Sequence, residues 1–162
     1  MLRIGLMGYG KAGQAVARVL AEDERYSLQW VMRRQPGAEA TLPGHAQVPI
    51  AALQEQVMED WLDAHPVDAL VDFSSADAVY SYGEALRHRQ IMLVTAISGY
   101  SPLHLHYLRA IGQDTRVLCS PNITLGINFL LLAARLLRGV APFADVEIVE
   151  QHFRDKPEVS GT

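Results

Sequence analysis

The sequence predicts an α/β protein built on a doubly wound parallel sheet, and three observations predict it. Short apolar runs alternate with segments of helical periodicity, as they do when parallel strands are joined by helices. A glycine-rich turn over residues 8–13 joins the first predicted strand to the first predicted helix. Hydrophobic residues make up 49% of the 162 residues and charged residues 20%, which is typical of a domain with a packed core.

Each apolar run has the length and composition of a buried strand. The five runs occupy residues 2–7, 28–32, 67–73, 91–96 and 116–119. Between them, apolar residues recur at helical spacing and predict connecting helices over residues 11–22, 51–64, 76–89 and 101–112. Residues 35–49 are rich in glycine, proline, alanine and polar side chains, and they predict a loop.

After Asn122 the pattern changes. Residues 126–138 form a strongly apolar run that predicts a helix, which is expected to end near Gly139 and Pro142. A short strand is predicted over residues 145–149. The sequence therefore predicts a sheet domain over residues 1–125 and the beginning of a second domain over residues 126–162.

The glycine-rich turn has the G-x-G-x-x-G spacing of a Rossmann-like dinucleotide-binding domain. Its glycines allow a tight turn and a close approach of the backbone to a pyrophosphate, and the following helix begins with free N–H groups. The alternative is a glycine-rich turn that binds no ligand. The candidate cofactor-binding residues of the turn are Gly8, Tyr9, Gly10, Lys11, Ala12 and Gly13.

Two arginines at the end of the second predicted strand bear on the choice of nucleotide. NAD-binding domains place an acid there, which accepts a hydrogen bond from the ribose 2′-hydroxyl. Arg33 and Arg34 stand at this position, and a guanidinium suits a 2′-phosphate. Lys11 offers a further cation. The arginines therefore predict that NADPH is preferred and NADH is possible, the alternative being that both are solvated loop cations.

Charge and composition exclude several classes of function. A formal net charge of -4 argues against a nucleic-acid surface, which needs clustered cations. The longest apolar stretch, residues 123–137, is too short and too polar to span a bilayer, so no membrane partner is predicted. The one cysteine, Cys119, fits a reducing compartment, and a cytoplasmic protein is expected. His104 and His106 do not share a helix face, so no metal site is predicted.

The last residues of the chain carry the groups that hold and protonate a dicarboxylate. His152 can give a proton near neutral pH, and Lys156 supplies a fixed positive charge for a carboxylate. The turn formed by Ser160, Gly161 and Thr162 can present backbone N–H donors and a hydroxyl group. A small-molecule dicarboxylate is therefore the predicted substrate.

Several motifs, in order along the chain, resemble those of the dihydrodipicolinate reductase family. The run Val71-Asp72-Phe73-Ser74 resembles the strand-end D-F-T/S motif of the family, and residues 96–100 stand where the family has G-T-T-G-F. Residues 122–128 resemble N-F-S-x-G-V-N. Residues 150–162 resemble E-x-H-H-R-H-K-x-D-x-P-S-G-T, which is the longest and most specific of these motifs.

This resemblance implies a function and a set of site residues. The family reduces 4-hydroxy-tetrahydrodipicolinate to tetrahydrodipicolinate with NADPH or NADH in diaminopimelate and lysine biosynthesis, and its second domain builds a homotetramer. By the resemblance, His152 is the general acid and Lys156 a catalytic residue that binds a carboxylate, while residues 160–162 complete the substrate site. The positions implied around the nicotinamide and its ribose are Phe73, Ser74, Ala96, Ile97, Ser98, Ser120, Pro121, Asn122 and Ile123.

The chain also departs from the motifs of the family. Phe153 replaces the second histidine of the terminal motif, and residues 96–98 read Ala-Ile-Ser in place of G-T-T. The second domain is expected to be truncated, because the chain stops where the rest of the substrate sheet would follow. Two alternatives therefore stay open. One is a reductase with a shifted cyclic-imine or dicarboxylate substrate, and the other is an NADPH-binding protein without catalysis.

Overall fold

The computed structural model describes residues 1–147 and 149, and it contains seven strands and five α-helices in this part of the chain. The strands are β1 (Leu2–Met7), β2 (Tyr26–Arg33), β3 (Thr41–Leu42), β4 (His45–Ala52), β5 (Ala69–Asp72), β6 (Met92–Thr95) and β7 (Val117–Cys119). The helices are α1 (Lys11–Glu22), α2 (Met58–Ala64), α3 (Val79–Arg89), α4 (Pro102–Asp114) and α5 (Leu125–Val140). Short 3-10 turns occupy Leu53–Glu55 and Ala76–Ala78.

The seven strands form one sheet in the order β3-β4-β2-β1-β5-β6-β7. All neighbouring strands are parallel except β3 and β4. From β1 the chain builds outward through β2 to β4, and it then returns to the other side of β1 to build β5, β6 and β7. The order therefore reverses between β1 and β5, which is the topological switch point of a doubly wound sheet. The predicted fold class is confirmed.

Both faces of the sheet are covered, because a parallel sheet buries each face under its connecting helices. On one face the buried residues of β1 and β2 pack against α1, with Ile4, Leu6 and Val31 meeting Ala17 and Leu20. The other face is larger and packs against α2, α3 and α4. Its most buried members are Met7, Trp30, Met32, Leu62, Leu70, Tyr82, Leu86, Leu93 and Ile111. This core holds the carboxyl ends of the central strands in place.

The prediction of a loop over residues 35–49 is wrong in its second half. Residues 41–42 form β3, and β4 begins at His45. Within β4 the side chains of Val48, Ile50 and Ala52 are buried in alternation, the pattern of a strand with one covered face. Pro49 and the glycines nearby gave this segment a loop-like composition. Proline is tolerated here because β4 pairs with β2 only at residues 50–52, and its earlier part lies near the edge of the sheet.

The helix predicted over residues 51–64 is shorter than expected, because Ala51 and Ala52 belong to β4 and a 3-10 turn follows them. Only Met58–Ala64 is α-helical. Near the end of the chain, residues 145–147 and Val149 form no strand, and Ile148 lies outside the described residues. The strand predicted over residues 145–149 is therefore not observed in its described part.

The chain divides into two compact units, the first over residues 1–120 and the second from Pro121 onward. In the second unit, the Asn128 side chain donates hydrogen bonds to the carbonyl oxygens of Asn122, at 2.7 Å, and Thr124, at 3.0 Å. These bonds tie the preceding turn to the first turn of α5. Apart from Ile127, the residues of α5 are exposed, and Phe129 and Leu136 are 67% and 63% exposed. None of the described helices is both long and apolar enough to cross a membrane.

Candidate functional site

The carboxyl ends of the parallel strands meet in one row along the sheet. The in-register neighbours are Met7, Asp72, Thr95 and Cys119, which end β1, β5, β6 and β7, and Met32, the last but one residue of β2. The residues that follow these five in the chain are Arg33, Gly8, Phe73, Ala96 and Ser120, and all of them belong to the predicted cofactor set. Backbone hydrogen bonds of 2.7–3.0 Å continue the ladder into this next row. The sheet thus brings together residues that lie up to 112 positions apart in the sequence.

The glycine-rich turn between β1 and α1 is held by two close backbone contacts. Gly8 has a φ of +97°, and a Cβ there would lie 2.5 Å from the carbonyl carbon of Phe73. A Cβ at Gly13 would overlap the carbonyl oxygen of Gly8. Glycine is therefore required at both positions, by backbone conformation at Gly8 and by helix-to-turn packing at Gly13. At Gly10, in contrast, a Cβ would meet open space.

The N-terminus of α1 is open to an anion. Gly10 caps the helix without a side-chain hydrogen bond, and no acidic residue lies in the first turn. The first backbone N–H groups of a helix carry partial positive charge and attract phosphate. Lys11, the first residue of the helix, is exposed and adds a full positive charge. The open space at Gly10, the missing cap and Lys11 fit the pyrophosphate of a dinucleotide.

A cleft of about 310 Å³ lies at the switch point, between the ends of β2 and β5. Its walls come from both sides of β1, which is where open α/β sheets bind nucleotides. The residues that line it are Met7, Met32, Arg33, Arg34, Leu53, Gln54, Ser74, Ser75, Asp77, Ala78 and Ser81. Arg33, Arg34 and Ser74 were predicted from the sequence to contact the cofactor, and the structure places all three on this cleft.

Arg33 is held by the loop that follows it. Its guanidinium lies 3.1 Å from the Glu39 carboxylate and donates a 2.6 Å hydrogen bond to the Glu39 carbonyl oxygen. The side chain is only 16% exposed, and its Nε is buried with no hydrogen-bond partner among the described residues. Burial and then the negative charge of Glu39 raise the pKa of Tyr9 in the glycine-rich turn. Arg34 is exposed on the same cleft.

A buried carboxylate lies at the end of β5, in the part of the row that β5, β6 and β7 form. Asp72, at the end of β5, is fully buried and accepts hydrogen bonds from the Ser74 backbone at 2.8 Å and the Ser74 hydroxyl at 2.5 Å. Its second oxygen accepts a 2.5 Å bond from the Tyr82 hydroxyl on α3. Burial raises the pKa of Asp72, while the bonds from Ser74 and Tyr82 oppose that rise. Asp72 is not among the site residues that the sequence predicts. The signal that could have found it is an acid within an apolar strand, which indicates a buried carboxylate with hydrogen-bond partners.

The remaining predicted residues fall into three groups. Ala96, Ile97 and Ser98 form the loop directly after β6, and the Ser120 N–H donates a 2.9 Å bond to the Thr95 carbonyl oxygen. Pro121, Asn122 and Ile123 belong to the second unit. His152, Lys156, Ser160, Gly161 and Thr162 lie outside the described residues. Within residues 1–147, no cluster of three or more histidine, cysteine, aspartate or glutamate side chains is arranged to hold a metal ion.

Comparison with known proteins places this sheet and its turn in one family. The family model described as "Dihydrodipicolinate reductase, N-terminus" matches residues 2–123. The chain belongs to the dihydrodipicolinate reductase family. The match covers β1 to β7 and the loops that follow the strands, so the row of strand ends is part of the family's own domain.

Curated relatives carry the name 4-hydroxy-tetrahydrodipicolinate reductase. The protein from Myxococcus xanthus is 32% identical over 107 residues, which cover 65% of this chain and 40% of the relative. The protein from Laribacter hongkongensis is 29% identical over 170 aligned positions, which cover 99% of this chain and 61% of the relative. The chain therefore spans less than two thirds of the length of these relatives.

Solved structures share the fold at low sequence identity. The dipicolinate-bound dihydrodipicolinate reductase from Paenisporosarcina sp. TG-14 superposes with a TM-score of 0.65 and 17% identity, over 85% of this chain and 54% of that one. The scyllo-inositol dehydrogenase from Lactobacillus casei, solved with NAD(H) and scyllo-inositol, superposes with a TM-score of 0.63 and 16% identity, over 90% of this chain and 43% of that one. Both likenesses concern the fold alone.

Proposed function

We propose that this protein takes part in the NADPH- or NADH-dependent reduction of 4-hydroxy-tetrahydrodipicolinate to tetrahydrodipicolinate. In this reaction one hydride and one proton enter the substrate, and its 4-hydroxyl group leaves as water. The observation that carries the proposal is the row of strand ends in a member of this family, with an open helix N-terminus and a cleft at the switch point. The reaction belongs to diaminopimelate and lysine biosynthesis.

The residues of the first unit divide between the two halves of the cofactor. Gly10, Lys11 and the free N–H groups of α1 would hold the pyrophosphate. Arg33 and Arg34 would lie beside the adenosine ribose, and Ser74 and residues 96–98 would lie beside the nicotinamide half. When bound, the reduced nicotinamide supplies the hydride.

The residues that act on the substrate come from the terminal motif. His152 would give the proton, since an imidazole can hold and release one near neutral pH. Lys156, Ser160, Gly161 and Thr162 would hold the carboxylates of the substrate through a fixed charge and backbone N–H donors. This assignment rests on the match of residues 150–162 to the family's motif.

A preference for NADPH is supported by charge and position. Arg33 and Arg34 line the cleft, and no acid occupies the end of β2 to accept a bond from a ribose 2′-hydroxyl. Glu39 partly neutralises Arg33, so a 2′-phosphate would have to replace this carboxylate on the guanidinium. The preference for NADPH over NADH is therefore expected to be smaller than it would be if both arginines were unpaired.

The test is NADPH oxidation with freshly generated 4-hydroxy-tetrahydrodipicolinate, followed by mass spectrometry of the product. Turnover that is abolished by His152→Ala supports the reductase. Binding of NADPH without turnover contradicts it and favours a non-catalytic binder. Turnover with another cyclic imine or dicarboxylate alone favours a shifted substrate, which Phe153 and residues 96–98 suggest. The homotetramer implied by the family resemblance stays a prediction, and light scattering of the protein tests it.

A further inference from the structure

The turn between β5 and α3 places one carboxylate on the cleft at the switch point. Among the described residues that line this cleft, Asp77 is the only acid, and Arg33 and Arg34 are the only bases. A guanidinium binds phosphate, whereas a carboxylate repels phosphate and accepts hydrogen bonds from N–H and O–H donors. The cleft therefore has an anion-binding side on β2 and a hydrogen-bond-accepting side on the turn after β5.

Asp77 is held by an imidazole on α4. The Nε2 atom of His104 lies 3.0 Å from Oδ1 of Asp77. On the other side of the ring, Nδ1 accepts a 3.1 Å hydrogen bond from the backbone N–H of Ser101. A backbone N–H can only donate, so Nδ1 is the acceptor, and the proton of the neutral ring lies on Nε2. His104 therefore donates to Asp77, and the carboxylate remains an acceptor.

The imidazole is covered, while the carboxylate that it holds is open to a ligand. The His104 side chain is 13% exposed and that of Asp77 is 89% exposed. The His104 ring packs against the rings of Tyr80 and Tyr100, with centroids 5.2 Å and 5.7 Å away. Ser101 and His104 also cap each other's backbone N–H groups at the start of α4, which fixes the ring to the helix. The Oδ2 atom of Asp77 has no hydrogen-bond partner among the described residues.

The rest of the cleft fits the adenosine half of the cofactor. Met7, Met32 and Ala78 give it apolar walls, which suit a flat aromatic ring. The loops after β6 and β7, proposed above for the nicotinamide half, contribute no residue to its described lining. In NADPH the 2′-phosphate is the group for the arginines. The adenine ring carries an amino group at C6 with two N–H donors, which is the chemistry that a carboxylate accepts.

We propose that Asp77 accepts a hydrogen bond from the 6-amino group of the adenine ring and thereby selects adenine over bases that carry an oxygen at C6. The inference rests on the function proposed above, since it needs the nucleotide in the cleft. In hypoxanthine the oxygen at C6 would face the carboxylate, so the bond is lost and two acceptors repel each other. Asp77 is the specificity residue, and His104 is a positioning residue that acts through it.

The test compares the Kd of NADPH with that of reduced nicotinamide hypoxanthine dinucleotide phosphate, which differs from NADPH only in its 6-oxo base. The unchanged protein should bind NADPH about tenfold more tightly, because only adenine donates to the carboxylate. Asp77→Ala should bind the two nucleotides within about twofold of each other. Both nucleotides carry the same phosphates, so the effect of the lost negative charge on phosphate binding cancels in the ratio of the two Kd values.

Three variants separate recognition of the base from stability. Asp114→Ala is a matched control, because it removes a carboxylate that binds Arg87 at 2.6 Å and does not line the cleft, and it should keep the ratio of the unchanged protein. His104→Gln and His104→Glu both keep an acceptor for the Ser101 N–H, but only glutamine also has a donor for Asp77. The preference for adenine should persist in His104→Gln and be lost in His104→Glu, whereas a purely structural role would make it follow the midpoint of urea unfolding.

The second probe is adenosine 2′,5′-bisphosphate, which carries the adenosine half and lacks the nicotinamide. Asp77→Ala should change its Kd by the same factor as the Kd of NADPH, because the proposed contact lies in the adenosine half. A change confined to NADPH would place Asp77 beside the nicotinamide and overturn the inference.

The outcomes are distinct. If the unchanged protein does not bind NADPH, the proposed function fails and this inference with it. Binding of NADPH without turnover contradicts the proposed reductase alone, and the ratio of the two Kd values then decides this inference by itself. Equal affinity of the unchanged protein for the two nucleotides, or a preference for adenine that persists in Asp77→Ala, overturns it. A preference that is lost in Asp77→Ala and His104→Glu, and kept in His104→Gln and Asp114→Ala, supports it.

Discussion

At the scale of single residues, the pairing of Arg33 with Glu39 controls how much positive charge the cleft offers to a 2′-phosphate. Replacing Arg33 and Arg34 together by alanine should raise the Kd for NADPH about tenfold and leave that for NADH nearly unchanged, because only NADPH carries the phosphate. Glu39→Gln should lower the Kd for NADPH, since the Glu39 carboxylate, 3.1 Å from the Arg33 guanidinium, no longer competes with the 2′-phosphate for that group. Titration of both nucleotides by fluorescence measures these effects.

A control for this prediction is Glu55→Gln, which removes one negative charge from the turn that follows β4. It changes the net charge as Glu39→Gln does, but Glu55 takes no part in the described hydrogen bonds and ion pair of Arg33. Equal gains in NADPH affinity from both variants would show a general charge effect. Equal effects of the arginine substitutions on NADPH and NADH would remove the argument for NADPH preference.

The glycines of the turn differ in what an added methyl group would meet. Gly13→Ala should lower the free energy of unfolding by about 1–3 kcal/mol, because its Cβ overlaps the Gly8 carbonyl oxygen and the turn must shift. Gly10→Ala should cost less than about 1 kcal/mol, because its Cβ meets open space and its φ of -77° suits alanine. Urea denaturation compares the two. A larger loss of stability at Gly10 would contradict the structure of the turn.

At the scale of elements, α3 ends on a strained residue. Gln90 has a φ of 54°, the left-handed conformation that glycine adopts at lower cost. Gln90→Gly should therefore raise the free energy of unfolding by roughly 0.5–1 kcal/mol, after allowing for the greater freedom of glycine in the unfolded chain. The control is Gln113→Gly near the end of α4, where the right-handed helix makes glycine unfavourable by about 1 kcal/mol. A loss of stability at both positions would refute the prediction.

The elements also show what the sequence could predict. The bounds of β1 and α1 were predicted to the residue, because a buried strand, a glycine-rich turn and an amphipathic helix follow each other without ambiguity. β4 was missed, because Pro49 and the glycines of its surroundings outweighed the alternation of Val48, Ile50 and Ala52. The bond from the Tyr82 hydroxyl to Asp72 could not be predicted, since it joins α3 to the end of β5 and exists only once the helix has packed on the sheet. The contact between Glu39 and Arg33 could not be predicted either, since it depends on how the loop after β2 folds back on that strand.

At the scale of the whole molecule, packing and surface chemistry divide between the two units. Every buried hydrophobic residue in the described part of the chain lies between Ile4 and Ile111 and thus within the first unit. The second unit instead carries α5, whose apolar side chains are mostly exposed. Exposed apolar patches of this kind mark interaction surfaces or sites of aggregation. The first unit holds the whole sheet, both of its packed faces and the row of strand ends, which is what a domain needs to fold alone.

A chain of residues 1–120 should therefore fold cooperatively and keep its site for the adenosine half of the cofactor. Its urea transition should be single and seen alike by circular dichroism and tryptophan fluorescence, because Trp30 and Trp61 both lie in the core of the first unit. Its affinity for adenosine 2′,5′-bisphosphate should equal that of the full chain, since the glycine-rich turn, Arg33 and Arg34 are all retained. Binding of the dye ANS should fall, because the exposed apolar side chains of α5 are gone. A chain that stays unfolded, or that folds but no longer binds the bisphosphate, would show that residues beyond Ser120 complete this domain.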